Sequence, residues 1–202
     1  KEIDKALDSY FQAFQLALDT GDLGSQSVTL NNLASIAIDQ TKYAEAMDFL
    51  QKALVVVRKV GDRITEATIL NNIGLVSKYQ GKPNQAFATY QQSLQLDRQT
   101  GNRRGESIAL GNMGGLMAEQ GRMEFAIYFY KLSVNVRESI RKDIRSLSRE
   151  DQNAFKQSVS DIYRGLASML LEQGRVMEAL QVLDLLKVQE LQDYLQDVKG
   201  ND

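Results

Sequence analysis

Asparagines stand in pairs at Asn31-Asn32 and Asn71-Asn72, and singly at Asn112, inside stretches that otherwise have helical spacing. Asparagine is a poor helix former because its side chain competes for backbone hydrogen bonds. Its return at intervals of 40 residues therefore needs a reason. A carboxamide offers both donors and acceptors, so it matches the N–H and C=O of a peptide backbone. That is recognition chemistry rather than bond making. The absences agree, for the chain has no cysteine and no histidine. A thiolate nucleophile, a disulfide and a thiolate metal site are all ruled out. The commonest general base and metal ligand is missing too, and neither a Ser-His-Asp nor a Cys-His arrangement can be assembled. The carboxylates, lysines, tyrosines and hydroxyls show no pair at a telling spacing. No catalytic residue, cofactor or metal is expected, so the chain itself is expected not to be an enzyme.

The totals bound the partners. An apolar share of 43% over 202 residues can build a core, and a net charge of −2 argues against general affinity for nucleic acid or anionic membrane. No apolar run approaches the roughly 18–20 residues that cross a bilayer. No signal peptide is read at the start, and the expected location is cytoplasmic.

The elements that position the asparagines form a repeat. Gly21-Asp22, Gly61-Asp62 and Gly101-Asn102 recur every 40 residues, as do Leu30, Leu70 and Leu110. Ala6, Ala46, Ala86 and Ala126 keep the same period, alongside Tyr10, Leu50, Tyr90 and Tyr130. Ala13, Ala53, Ser93 and Ser133 form a further series. Each unit reads as two helices. Leu70, Ile73, Gly74 and Ser77 make one helical stripe, Gly81 suits a helix end, and Pro83 suits the start of the next helix. No strand pattern appears. Gly74 is expected to face Ala86 across a tight hairpin, and stacked hairpins would bury what one hairpin cannot. Tyr90, Tyr128 and Tyr130 are expected in the core.

These columns resemble the tetratricopeptide repeat, whose usual period is about 34 residues. The longer unit, with Gly-Asp between repeats, resembles the extended variety of kinesin-light-chain-like proteins. HEAT and armadillo repeats share the longer period, but the small-residue columns fit them poorly. The resemblance implies an all-α, right-handed superhelix, an α-solenoid of antiparallel hairpins. The expected divisions are the second helix of a truncated repeat over 1–20, full repeats over 24–60, 64–100 and 104–147, and a divergent long-helix repeat over 148–198.

In the C-terminal third the phase returns only after 13 inserted residues, with Tyr163, Leu166, Ala167, Gly174, Ala179 and Leu183 in the old columns. Longer helices are expected here, the second starting at a capping box, Ser148-Arg149-Glu150-Asp151. Arg137, Arg141, Lys142, Arg145 and Arg149 read as a solvated, ion-paired face, with an acidic-partner contact as the sharper alternative. Residues 161–201 resemble the repeat region that precedes a CHAT domain in bacterial, particularly cyanobacterial, proteins. That resemblance implies an attached caspase-like domain, and any protease activity would lie there.

Thr68, Asn71, Asn72, Leu75 and Tyr79 form a second stripe beside the packed one. In tetratricopeptide arrays the first helices of successive hairpins line the concave surface. Asn32, Asn72 and Asn112 would then form a ladder with rungs about 10 Å apart. Val28, Ile108, Leu75 and Tyr79 would supply apolar contact, and Lys78 and Asn31 would flank the ladder. The expected partner is a protein or peptide segment lying in that groove. The alternative is that each asparagine bonds to a neighbouring hairpin and fixes the stacking. For the chain as a whole, the competing expectation is a structural scaffold or a self-associating element (a homo-oligomer), with the long C-terminal helices as a rigid spacer or a dimer surface.

Overall fold

A computed structural model describes residues 2–144 and 160–199. Among the described residues every regular element is an α-helix. They are α1 (Glu2–Asp19), α2 (Leu23–Asp39), α3 (Tyr43–Val60), α4 (Arg63–Tyr79), α5 (Pro83–Thr100), α6 (Arg103–Glu119), α7 (Met123–Ile144), α8 (Ser160–Glu172) and α9 (Val176–Lys199). The capping box at Ser148 and the basic residues Arg145 and Arg149 lie outside the described residues.

Local chemistry sets the ends. Asp22 accepts from the Ser25 N–H at 3.0 Å and from its hydroxyl at 2.6 Å, capping α2. Asp62 does the same for α4 through Ile64, Thr65 and the Thr65 hydroxyl. Gly61 and Gly101 end α3 and α5 in the left-handed region, at φ 80° and 70°. Gly81 makes the turn inside the α4–α5 hairpin at φ 71°, whereas the α2–α3 hairpin uses Thr41 at φ 59°; Gly121, between α6 and α7, has φ 70°.

The chain divides into two compact units, residues 1–116 and 117–202. In the first, α2 pairs with α3 and α4 with α5, and α3 packs on α4. Its core is the small and branched face that the period picks out: Leu30, Ala34, Ala46, Leu50, Ala53, Val57, Ile69 and Ile73 are all buried. One seam repeats between a second helix and the next first helix. Gln26 Nε2 donates to the Ala17 carbonyl at 2.9 Å, Arg58 donates to Glu66 at 2.8 Å, and Arg98 donates to Glu106 at 2.7 Å. Glu66 is buried and also receives Arg63 at 3.0 Å, so its charge is compensated on two sides.

The second unit closes around Ile127, Val134, Tyr163, Leu166, Leu170, Ala179 and Leu186, where α7, α8 and α9 meet. The Tyr163 hydroxyl donates to Glu138 at 2.5 Å. Glu178 collects Arg175 at 2.7 and 3.0 Å together with Lys131, and Arg175 reaches Glu124 at 3.3 Å.

Gly74 lies beneath the Tyr90 ring, where an added Cβ would meet Tyr90 Cε1 at 2.5 Å. Two expectations need correction. Tyr128 is not core, being 57% exposed on the outer face of α7, while Tyr90 is fully buried. Arg137 is buried at 4% exposure rather than solvated. It occupies the inward column of Ala17, Val57 and Asp97, which the charge pattern alone conceals.

Candidate partner-binding groove

The asparagines lie on one face of the first helices α2, α4 and α6, all within the first unit. Asn72 Nδ2 donates to Asn31 Oδ1 at 2.9 Å, and Asn112 Nδ2 donates to Asn71 Oδ1 at 2.9 Å. The rungs therefore cross between columns rather than running along Asn32, Asn72 and Asn112. Each bond spans 41 residues and ties one hairpin to the next. Asn32 has no corresponding partner among the described residues, and Gly111 stands where a third acceptor would be. Among the described residues the ladder has two rungs.

These bonds do not exhaust the amides. Each carboxamide has two N–H donors and two acceptor lone pairs, and each rung uses one donor of one residue and one lone pair of the other. The four side chains are only half-buried, so the unused groups reach solvent. Around them Val28 is 45% exposed and Ile108 37%, and Thr68 is exposed with its hydroxyl turned to the Ile64 carbonyl. Leu75 and Lys78 are half-buried. Tyr79, 49% exposed, stacks on Tyr43 with ring centres 5.0 Å apart and planes 19° apart, and Lys78 Nζ lies 5.0 Å from the Tyr79 ring centre. Tyr43 belongs to the start of α3, so this aromatic pair braces one end of the face. Periodicity could not reveal that partner, because Tyr43 falls outside the repeating columns. Arg63, at the start of α4, bonds Glu66 at 3.0 Å.

What results is a hydrogen-bonding face with scattered apolar side chains and a cation, Lys78, at one end. Among the described residues no cluster of three or more metal-ligating side chains occurs, and no helix is long and apolar enough to cross a membrane.

A model of the tetratricopeptide repeat matches residues 25–99 and 65–139, together more than half of the chain. No curated protein matches the sequence. Among solved structures, BtubC (BKLC) from P. vanneervenii is similar at 18% identity and a TM-score of 0.74, covering 96% of this chain and 75% of that one. A Podosopora anserina putative kinesin light chain with nearly identical TPR-like repeats follows at 13% identity and a TM-score of 0.62, covering 95% and 88%. MamA is similar at 16% identity and a TM-score of 0.60, covering 95% and 91%. At such identities the likeness speaks for the fold, which is that of an α-solenoid. The matched family model decides the rest: this chain belongs to the tetratricopeptide repeat family.

Proposed function

We propose that this chain is a non-catalytic interaction module that binds an extended protein segment along the α2–α4–α6 face. Tetratricopeptide repeats generally mediate protein–protein interaction. The observation that carries the specific reading is the half-exposed amide ladder, Asn31–Asn72 and Asn71–Asn112, with donors and acceptors left over on a face that also exposes Val28, Thr68 and Ile108. Cross-hairpin bonds hold these amides in fixed positions, which lowers the entropy cost of meeting a peptide backbone. A photo-crosslinking residue at Thr68 tests this against the same residue at Gln51, exposed on α3. In lysate of the source organism, Thr68 should capture a discrete protein that Gln51 does not. Identical products from both positions would reject the groove.

A second reading is favoured by one surface. Positions that are polar or small in α1, α3 and α5 (Lys5, Glu45, Gln85; Asp8, Asp48, Ala88) become Phe125 and Tyr128 in α7, 50% and 57% exposed. Such a stripe supports self-association, and sedimentation of the wild type against Phe125→Gln/Tyr128→Gln reads it directly. The resemblance of residues 161–201 supports an attached CHAT domain in a bacterial protein, which the coding sequence beyond Asp202 tests through a Cys-His dyad.

A further inference from the structure

The junction between α5 and α6 departs from its two counterparts in a concerted way. At the first two junctions an exposed carboxylate, Asp22 or Asp62, caps the next helix and holds a hydroxyl, Ser25 or Thr65. The inward position one loop earlier is apolar there, Ala17 or Val57. At the third junction all three residues change. The cap is Asn102, whose Oδ1 accepts the Gly105 N–H at 3.2 Å, the hydroxyl residue is replaced by Gly105, and the inward position is Asp97. The carboxylate has moved from the solvent-facing cap into the seam.

Asp97 is 2% exposed. Its carboxylate fills the space that a side chain at 105 would occupy, since a Cβ built on Gly105 would lie 2.2 Å from Asp97 Oδ1. It receives Asn102 Nδ2 at 2.7 Å and the Ser93 hydroxyl at 3.3 Å, both neutral donors. Charged groups stand on each packed element. Glu106 on α6 adds like charge, and Arg98 in the next position of α5 turns outward to Glu106 at 2.7 Å. Arg103 and Arg104 in the first turn of α6 are exposed. On α4, the element paired with α5, Arg63 and Glu66 bond each other at 3.0 Å, and Lys78 stands at the opposite end of that helix. A buried carboxylate whose donors are neutral is costly to ionise.

We propose that Asp97 makes the α5–α6 junction a proton-responsive joint, which tightens when the carboxyl takes up a proton and loosens when it gives one up. Burial, the largest cause, and Glu106 push the Asp97 carboxyl up from 3.8 to about 6, against the opposing bonds from Asn102 and Ser93. The folded value lies above the unfolded one. The joint is therefore most stable below about pH 4 and loses that stability as pH rises through about 6. The capping residues behave oppositely: hydrogen bonds from Ser25 and Thr65 hold Asp22 and Asp62 below the usual carboxylate range.

Two measurements on the full chain test the joint. The first is the titration of the Asp97 carboxyl carbon by NMR, assigned by its loss in Asp97→Asn. The second is amide hydrogen exchange in residues 103–107, corrected for intrinsic pH dependence, in wild type and Asp97→Asn. A midpoint near pH 6 is expected, together with protection that falls by up to about 100-fold between pH 4 and 8 in wild type. Asp97→Asn should keep protection nearly constant over that range. A midpoint below 4.5 overturns the proposal. So does a midpoint near 6 with the same exchange profile in both proteins.

Discussion

The pairing of Gly74 with Tyr90 yields a prediction whose sign runs against helix propensity. On an ordinary helix Gly→Ala stabilises by about 1 kcal/mol. Here the added methyl would sit 2.5 and 2.6 Å from two ring carbons of Tyr90 and 3.0 Å from Thr89 Oγ1, whereas carbon contacts need about 3.5 Å or more. Tyr90 is fully buried, so its ring cannot swing into solvent. Overpacking of this kind costs about 1–3 kcal/mol, and Gly74→Ala should therefore destabilise by about 1 kcal/mol net. The same chain holds the remedy. Its first hairpin has Ala34 with Leu50, both fully buried in one cluster, so alanine belongs with leucine and glycine with tyrosine. In a Tyr90→Leu background, Gly74→Ala should become stabilising by about 1 kcal/mol, a coupling of about 2 kcal/mol in a double-mutant cycle. Urea unfolding followed by circular dichroism reads all four proteins. If Gly74→Ala raises the midpoint with Tyr90 in place, the steric reasoning is refuted.

Three further outcomes follow from single observations. Asn31→Ala and Asn72→Ala should each cost about 1 kcal/mol, and the double variant should cost less than their sum, as a shared bond requires; additivity in urea melts would deny the rung. Ser77 Oγ is buried without a hydrogen-bond partner among the described residues, and its column holds Ala37 in the first hairpin, so Ser77→Ala should raise stability by about 1 kcal/mol in the same melts. The guanidinium of Arg175, and then Lys131, hold the Glu178 carboxyl down at about 2 from 4.5. Because the folded value is depressed, its contribution is present above pH 4.5 and is lost as pH falls toward 2; thermal melts of Glu178→Gln should show a shallower fall across that window than wild type.

The helices and the stripe that would face a partner were legible because one period of 40 residues carries them, and columns such as Leu30/Leu70/Leu110 recur without change of chemistry. What escaped were the exchanges between columns. Gly74 was visible as small, but its contact with the Tyr90 ring emerges only when the Ala34/Leu50 pair is set beside Gly74/Tyr90. The move of a carboxylate from Asp62 to Asp97 requires three positions to be compared at once: 57 with 97, 62 with 102, and 65 with 105. Arg137 read as surface because charge density along the chain says nothing about the inward column it occupies. The asparagine ladder was half legible: residue type and spacing marked the face, but the diagonal rungs depend on the offset between neighbouring helices, which no single helix encodes. Tyr43 and the Arg175–Glu178–Lys131 cluster join distant positions outside the period, so pattern alone could not find them.

On the proposed reading the α2–α4–α6 face holds a protein segment. Its most direct measurement is the affinity of a peptide, selected from a displayed library against the whole chain, for wild type and for Thr68→Arg and Ile108→Arg. Both residues are exposed, so thermal midpoints should be unchanged and serve as the control for folding. Binding weakened by about tenfold or more, equivalent to about 1.4 kcal/mol, is the predicted result. Undiminished binding to both arginine variants would place recognition elsewhere on the molecule and contradict the account.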